Sequence, residues 1–121
     1  MIDLDEFKGI NDTHGHQMGD YVLKHFADNF RCHMRPIDTI SRIGGDEFLI
    51  ILPDTSLADA TSALVRVRQA IENAEITAEL ASVEFGFSAG VAELEDEDTA
   101  KSLLQRADIA LYAEKRSSAL T

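Results

Sequence analysis

A pair of glycines between two apolar runs constrains the fold of this chain more than any other feature of its sequence. The runs are Thr39–Ile43 and Phe48–Leu52, and Gly44-Gly45 stand between them. Apolar and β-branched runs on either side of a glycine pair predict a β-hairpin. The glycines are expected to supply the positive φ angles that a tight turn needs. The chain must therefore bring two antiparallel strands together here.

Two adjacent acids follow the glycine pair at the mouth of the predicted hairpin. Asp46 and Glu47 would repel each other there unless a cation neutralised them, and hard oxygen ligands of this kind suit Mg²⁺. For the hairpin alone, a solvated acidic turn is the better interpretation. A second acidic segment, Asp3–Asp20 near the start of the sequence, shifts the balance towards a cation site.

The rest of the sequence mixes strand and helix patterns. Met1–Leu4 predicts the end of a strand, and Val83–Val91 alternates apolar with small or polar residues, which predicts a strand with one buried face. Asp5–Gly15 is predicted to be a loop. Apolar residues recur every three or four positions in three segments, which predicts helices over about Gln17–Met34, from Ser56 to Ala74, and over about Thr99–Lys115.

Smaller signals refine these helices. Ser56 and Asp59 have the spacing of a capping box at a helix start. The last helix is expected to bury one face, made of Leu103, Leu104, Ala107 and Leu111. Helices on either side of a hairpin favour an α+β sandwich over a doubly wound βαβ fold.

Composition indicates one globular domain. The chain has 121 residues, of which 45% are apolar and two are prolines, so it can bury a core of its own. Its one cysteine, Cys32, permits no internal disulfide, fits a reducing cytoplasm and is predicted to be a packing residue.

The charge balance excludes some partners. A net charge of −11 without any run of lysine or arginine argues against a nucleic-acid polymer, which needs a basic surface. It favours a Mg²⁺-nucleotide over a naked phosphate ligand. No apolar stretch approaches the ~18–20 residues that span a bilayer. We therefore expect a cytoplasmic segment without membrane contact, although a longer parent protein could be anchored.

The motifs and their spacing point to a known family. The acidic segment reads DLDEFKGINDTHGHQMGD over Asp3–Asp20, and Arg35-Pro36-Ile37-Asp38 comes five residues before the GGDEF sequence of Gly44–Phe48. This order and spacing resembles the GGDEF family of bacterial diguanylate cyclases from Met1 to about Arg116. Because several motifs occur together, the match is far more specific than a lone pentapeptide.

The resemblance implies a fold and a domain plan. The expected fold is a central, largely antiparallel sheet covered by helices, a ferredoxin-like sandwich similar to the palm of polymerases and to adenylyl cyclases. Residues 1–121 would form one GGDEF domain. Relative to the family, it would lack the N-terminal helix, most of the first strand and the closing C-terminal strand.

The resemblance also implies an activity. Two GTP molecules, one on each subunit of a homodimer, would be condensed to cyclic di-GMP and two pyrophosphates with Mg²⁺, or with Mn²⁺ in its place. Cyclic di-GMP would inhibit the enzyme at an RxxD site made of Arg35 and Asp38, with Arg66 as a secondary arginine.

Site residues follow from the same resemblance. Asp3, the backbone carbonyl of Leu4 and Asp46 would be the metal ligands. Asp46 would also be the base that takes the proton of the attacking hydroxyl, and Glu47 could share either role. Lys8 would stabilise charge on the phosphates. The substrate-binding positions are Asn11, His16, Asp20 and Lys115. A carboxylate and an amide can together read the donor-rich edge of guanine, which suits GTP.

Simpler interpretations stay open for several of these residues. Lys115 at a helix C-terminus is favourable for dipole reasons alone, and Arg35 with Asp38 could be a helix-end ion pair. Ala119 falls where the family carries a phosphate-contacting arginine, which favours a non-catalytic module that binds GTP or cyclic di-GMP. A purely structural domain is the third hypothesis.

Overall fold

The computed structural model describes residues 1–73, 83 and 85–119. Within them the chain forms four strands and four helices around one sheet. The elements run in the order β1 (Ile2–Leu4), α1 (Phe7–His14), α2 (His16–Cys32), β2 (Thr39–Arg42), β3 (Glu47–Ile51), α3 (Leu57–Asn73), β4 (Phe87–Ala89) and α4 (Ala100–Ala119). The predicted α+β architecture is confirmed.

The sheet places β1 at its centre. Its strand order is β2-β3-β1-β4, and all three pairings are antiparallel. Asp3 on β1 lies opposite Glu47 on β3, and the Leu4 N–H donates to the Asp46 carbonyl oxygen at 3.0 Å. The first acidic segment and the hairpin acids are therefore neighbours in the sheet.

The turn between β2 and β3 differs from the prediction. The β2–β3 hairpin exists, but Gly15 is the only glycine of the described residues with a positive φ, so the expected positive φ angles at Gly44 and Gly45 are wrong. A side chain shapes this turn instead. The Arg42 guanidinium donates to the carbonyl oxygens of Gly44 and Gly45, at 3.1 Å from Nε to each and 2.7 Å from Nη2 to Gly45.

A short helix replaces the loop predicted over Asp5–Gly15. Phe7 and Ile10 are buried on one face of α1, which packs against α2. Gly15, with a φ of 91°, separates the two helices and is a position where glycine is required. The apolar spacing of Phe7 and Ile10 decides the structure here, because burying these side chains outweighs the weak helix preference of the glycine and asparagine between and beside them.

The core lies where α1, α2 and α3 cover the sheet. Phe26 of α2 is completely buried, and its ring lies 4.9 Å from that of Phe48 and 5.4 Å from that of Phe87, measured between centroids. The aromatic rings thus tie α2 to β3 and β4. The other members of this cluster are Ile2, Leu4, Phe7, Ile10, Val22, Leu23, Phe30, Val67, Ile71, Val83 and Ala89.

Strand β4 is buried on both faces, which the alternating pattern did not predict. Ser88 is 1% exposed, and its hydroxyl donates to Asp5 Oδ1 at 2.7 Å. The strand is also shorter than Val83–Val91: in the described residues it covers only Phe87–Ala89. Glu84 lies outside the described residues.

Two side chains bind the outer edge of β4. The Arg68 guanidinium donates to the Phe87 carbonyl oxygen at 2.6 Å and forms an ion pair with Glu114, whose other oxygen accepts the Ala89 N–H at 2.7 Å. Arg68 of α3 and Glu114 of α4 thus supply the hydrogen-bond partners of the Phe87 carbonyl and the Ala89 N–H, which holds both helices against the sheet edge.

The predicted helix ends and faces need several corrections. Helix α2 ends at Cys32, which is exposed rather than packed, and α4 runs past Lys115 to Ala119. Ala107 and Leu111 are buried as predicted, whereas Leu104 is 40% exposed. At the start of α3, the Asp59 N–H donates to Ser56 Oγ at 3.1 Å, which is half of the predicted capping box. The predicted stripe residue Ala74 lies outside the described residues.

Candidate metal and nucleotide site

Three carboxylates converge at the end of the central strands. Asp3, Asp46 and Glu47 each offer an oxygen within 4.8 Å of the other two. The register of β1 and β3 explains this convergence. Asp3 lies opposite Glu47, and Asp46 directly precedes Glu47 at the turn. Among the described residues this is the only group of three or more acid, histidine or cysteine side chains with such spacing.

Asp3 is the most buried member of this acidic cluster and is only half satisfied. Its side chain contacts Lys115 through Oδ2, in an ion pair that joins residues 112 positions apart. Its other oxygen, Oδ1, is buried and has no hydrogen-bond partner among the residues that the structure describes. A buried carboxylate oxygen without a partner is costly, so this atom is available for a ligand.

The environment of Asp46 favours its neutral form. Burial raises the pKa of the Asp46 carboxyl above its usual value, and the contact with Asp3 and the charge of Glu47 raise that pKa further. Conversely, the contact with Asp3 raises the pKa of Lys115. The cluster therefore carries more negative charge than its surroundings neutralise.

The donor set fits a hard divalent cation. Carboxylate oxygens are the ligands that Mg²⁺ takes from proteins, and Asp3 Oδ1, which has no hydrogen-bond partner in the described part of the chain, offers one directly. The Leu4 side chain is 2% exposed and belongs to the core, so Leu4 can offer only its backbone carbonyl. An open pocket of about 350 Å³ lies beside the cluster, lined by Asp3, Glu47, Asp108, Ile109, Leu111, Tyr112 and Lys115.

The start of α1 lies directly after β1. Lys8 is exposed in the first turn of α1. Glu6 precedes the helix in the left-handed conformation, with φ 53° and ψ 31°, and its side chain caps no amide in the described structure. The first amides of α1 therefore remain available to an anion, alongside the Lys8 ammonium.

The residues expected to read guanine lie around the α1–α2 junction. Asn11 is half-buried, and its Oδ1 is buried without a hydrogen-bond partner in the described part of the chain. Gly19 makes room for it, since a Cβ at Gly19 would lie 1.9 Å from Asn11 Oδ1. His16 and Asp20 are exposed in the first turns of α2.

The residues expected to form the inhibitory site lie elsewhere. Arg35 donates from Nη2 to Asp38 Oδ1 at 2.8 Å, and the same nitrogen reaches the Pro53 carbonyl at 2.8 Å and Thr55 Oγ1 at 2.7 Å. The hydrogen bonds that the Arg35 side chain and backbone N–H donate to Asp38 hold the pKa of the Asp38 carboxyl below its usual value. Arg66 is exposed on α3, and within the described ranges its side chain forms no ion pair.

Two supporting residues could not be identified from sequence patterns. Gly19 sits inside the motif, but its contact with the Asn11 amide appears only in three dimensions. Ser88, on the neighbouring edge strand β4, donates a hydrogen bond to Asp5, two residues after Asp3. The alternation of β4 assigned Ser88 to the outer face, so no local signal could have revealed this contact.

Comparison with known proteins identifies the family. The family model described as "Diguanylate cyclase, GGDEF domain" matches residues 1–119. Diguanylate cyclase A of Treponema denticola is 40% identical over 97% of this chain, and the response regulator PleD of Caulobacter vibrioides is 43% identical over 97%. The chain spans 32% of the first protein and 26% of the second.

Solved structures agree with these relatives. The diguanylate cyclase SiaD of Pseudomonas aeruginosa, in complex with its activator SiaC, superposes with a TM-score of 0.87 at 39% identity, covering 96% of this chain and 45% of that one. The GGDEF domain of DgcB from Caulobacter crescentus, in complex with c-di-GMP, gives a TM-score of 0.84 at 33% identity, covering 96% and 70%. No helix of the described residues is long and apolar enough to cross a membrane. The chain belongs to the GGDEF domain family of diguanylate cyclases.

Proposed function

We propose that this chain is a catalytic diguanylate cyclase domain, which joins two GTP molecules into cyclic di-GMP and releases two pyrophosphates. The observation that carries the proposal is the acidic cluster of Asp3, Asp46 and Glu47, with oxygens within 4.8 Å of one another and one buried Asp3 oxygen left for a ligand. The relatives named diguanylate cyclases support it.

The reaction repeats one substitution at phosphorus. The 3′-hydroxyl oxygen of one GTP attacks the α-phosphorus of the other, the new P–O bond forms, and the bond to pyrophosphate breaks as the hydroxyl loses its proton. A second such step closes the ring. Because each domain holds one GTP, the two nucleotides face each other across a homodimer.

Asp3, Asp46 and the backbone carbonyl of Leu4 would hold Mg²⁺ or Mn²⁺. When bound, the cation neutralises phosphate charge and acidifies a coordinated oxygen. Asp46 would also accept the proton of the attacking hydroxyl as a general base. Glu47, on the same turn, shares the work of holding the cation or the proton.

Other residues hold the nucleotide. Lys8 and the first amides of α1 bind the terminal phosphates, because a helix N-terminus and an ammonium both stabilise anionic oxygens. Lys115, whose ammonium contacts Asp3, is the second lysine that binds phosphate. Asn11 and Asp20 read the guanine edge, and His16 lies beside them at the start of α2.

The product inhibits this cyclase at Arg35, Asp38 and Arg66. The Arg35 side chain is 49% exposed although it binds Asp38, and among the described residues its Nη1 has no hydrogen-bond partner, so this nitrogen can contact a guanine or a phosphate. The GGDEF domain of DgcB was solved in complex with c-di-GMP, which supports such binding within the family. Here the Arg35–Asp38 ion pair is both a structural contact and the preformed half of the inhibitory site.

A turnover assay tests the proposal. The protein is incubated with GTP and Mg²⁺, and cyclic di-GMP and pyrophosphate are quantified by chromatography and a coupled assay. We expect one cyclic di-GMP for two pyrophosphates, and a loss of at least about 100-fold in Asp46→Asn. Asp28→Asn, which removes an exposed acid of α2, is the matched control and should leave turnover unchanged. Equal activity of both variants would contradict the assignment.

A second candidate is a binding module without turnover. Helix α4 continues to Ala119, through positions where the family resemblance predicts a glycine, an arginine and a strand. This candidate predicts nucleotide binding, measured as a rise in melting temperature, without product. In calorimetry, GTP at 100 times its dissociation constant should add about 2.7 kcal/mol to the free energy of unfolding. A purely structural domain predicts no such rise.

A further inference from the structure

The contact between Lys115 and Asp3 occupies the proposed metal site itself. Lys115 lies near the end of α4, and Asp3 lies on the central strand, so only the tertiary fold brings them together. The ammonium takes Asp3 Oδ2, while Oδ1 stays without a partner among the described residues. The lysine that is expected to bind phosphate is therefore ion-paired with a residue that is expected to bind the metal.

The charge balance explains why the lysine lies there. Asp3, Asp46 and Glu47 bring three carboxylates within 4.8 Å, and in the described part of the chain Lys115 is the only lysine or arginine ion-paired with any of them. Without it, the half-buried cluster would have no counter-charge from the chain. An ammonium on a flexible four-carbon stem can supply that charge and also leave.

The surroundings permit the ammonium to move. The Lys115 side chain is 42% exposed, whereas that of Asp3 is 10% exposed, so the lysine is the more accessible member of the pair. It lines the same open pocket of about 350 Å³ as Asp3 and Glu47. A divalent cation bound by the acidic cluster would compete with the ammonium for the charge of Asp3 and displace it towards this pocket, where the phosphates of a nucleotide would lie.

We propose that Lys115 is an exchangeable counter-ion, which neutralises Asp3 in the metal-free protein and is released to the triphosphate when a divalent cation binds the acidic cluster. The inference rests on the proposed function, since it needs both a metal and a phosphate at this site. Its addition to the proposed function is that the metal and the Lys115 ammonium compete for Asp3. The order of events follows: the cation arrives first or with the nucleotide, and the lysine engages phosphate only afterwards.

Because Lys115 and the metal compete for Asp3, loss of the Lys115 charge should affect metal binding and nucleotide binding in opposite directions. Removing the Lys115 charge should tighten binding of the metal alone, by about three- to tenfold for a half-exposed pair, because the cation no longer has to displace an ammonium. The same change should weaken binding of the metal–nucleotide complex. Linkage requires that metal binding also loosens the Lys115–Asp3 contact.

The first test measures Mn²⁺ binding without nucleotide, by the electron paramagnetic resonance signal of free Mn²⁺. Lys115→Met is compared with Lys101→Met, which removes the same charge from an exposed position on α4. We expect Lys115→Met to bind Mn²⁺ at least threefold more tightly than the control, and to bind Mn²⁺ with α,β-methylene-GTP more weakly. Equal or weaker Mn²⁺ binding in Lys115→Met would overturn the exchange.

A second measurement avoids substitutions of Lys115 altogether. The ¹⁵N–¹H signal of an ammonium held by a carboxylate is protected from solvent exchange, so the Lys115 signal should be visible in the metal-free protein. Adding Mg²⁺ should remove that protection. A Lys115 signal that is unchanged at saturating Mg²⁺ would refute the exchange.

Failure of the proposed function gives a different result. If Asp46→Asn binds Mn²⁺ as well as the unmodified protein, the acidic cluster is not the metal site and both proposals fail. If Asp46→Asn loses Mn²⁺ while Lys115→Met behaves like Lys101→Met, the metal site stands and the exchange alone is wrong.

Discussion

Gly90 is the position where a single methyl group should do the most damage. It follows β4, and a Cβ there would lie 2.1 Å from the Ala107 carbonyl oxygen and 2.2 Å from the Leu111 backbone nitrogen. Both atoms belong to the backbone of α4, so no side-chain rotation can relieve the contact. Gly90 is thus what lets α4 lie close enough to the sheet for Lys115 to reach Asp3.

The size of the effect follows from the distances. Ordinary contacts of a Cβ begin near 3.4 Å, so α4 would have to move by 3.4 − 2.1 = 1.3 Å in Gly90→Ala. Such overpacking against rigid backbone costs about 3 kcal/mol or more. For a domain of this size that cost lowers the melting temperature by about 12 °C.

Chemical denaturation with a matched control measures this cost. Gly9→Ala introduces the same methyl group inside α1, where no described atom lies within 4 Å of the new Cβ. That variant should gain about 0.5–1 kcal/mol, because alanine favours the helix over glycine. A Gly90→Ala protein within about 0.5 kcal/mol of the unmodified chain would refute the close approach of α4 to β4.

Three further predictions follow. Without divalent metal at pH 7, Asp46→Asn should melt at a higher temperature than the unmodified protein, and a lower melting temperature would contradict this prediction. The pKa of the Asp46 carboxyl is raised in the folded protein, so this group stabilises the fold below its unfolded pKa and loses that contribution as pH rises through the folded pKa. The charged carboxylate is therefore unfavourable in the folded protein, and the neutral amide removes it. Hydrogen bonds from Ser102, the Glu95 N–H and Arg106 lower the pKa of Asp98 to about 2. Asp98→Asn should therefore lower the melting temperature above pH 4, and this difference should narrow as pH falls towards 2. A difference independent of pH would show that these hydrogen bonds do not stabilise the charged form of Asp98. Arg35→Ala should weaken cyclic di-GMP binding at least about tenfold by calorimetry and also lower stability through the lost contacts to Pro53 and Thr55, whereas the exposed Arg31→Ala should do neither.

Much of the fold was accessible from sequence because its signals are local. The glycine pair with flanking apolar runs located the β2–β3 hairpin, and the spacing of apolar residues located α2, α3 and α4. Helix α1 was missed because Gly9, Asn11 and Asp12 favour turns when considered alone. Only the core contact of Phe7 and Ile10 makes that segment helical, and this contact is not a local property.

Only part of the candidate site could be predicted from the sequence. The resemblance to the family singled out Asp3, Asp46 and Asn11, but distances across the sheet decide what they contact. The pairing of Lys115 with Asp3 spans 112 positions. The packing of α4 on the sheet depends on Gly90, which in the sequence cannot be distinguished from any other small residue at the end of a strand. Neither periodicity nor propensity carries such information.

The central claim is that Asp3 and Asp46 share one divalent cation that holds a nucleotide triphosphate. The most direct measurement is a crystal structure with Mn²⁺ and α,β-methylene-GTP, in which the anomalous signal locates the metal. The account predicts an anomalous peak at about 2.0–2.2 Å from one oxygen of each aspartate, with triphosphate oxygens completing its coordination. A peak bound to only one of them, or a nucleotide bound with no metal between these carboxylates, would contradict it.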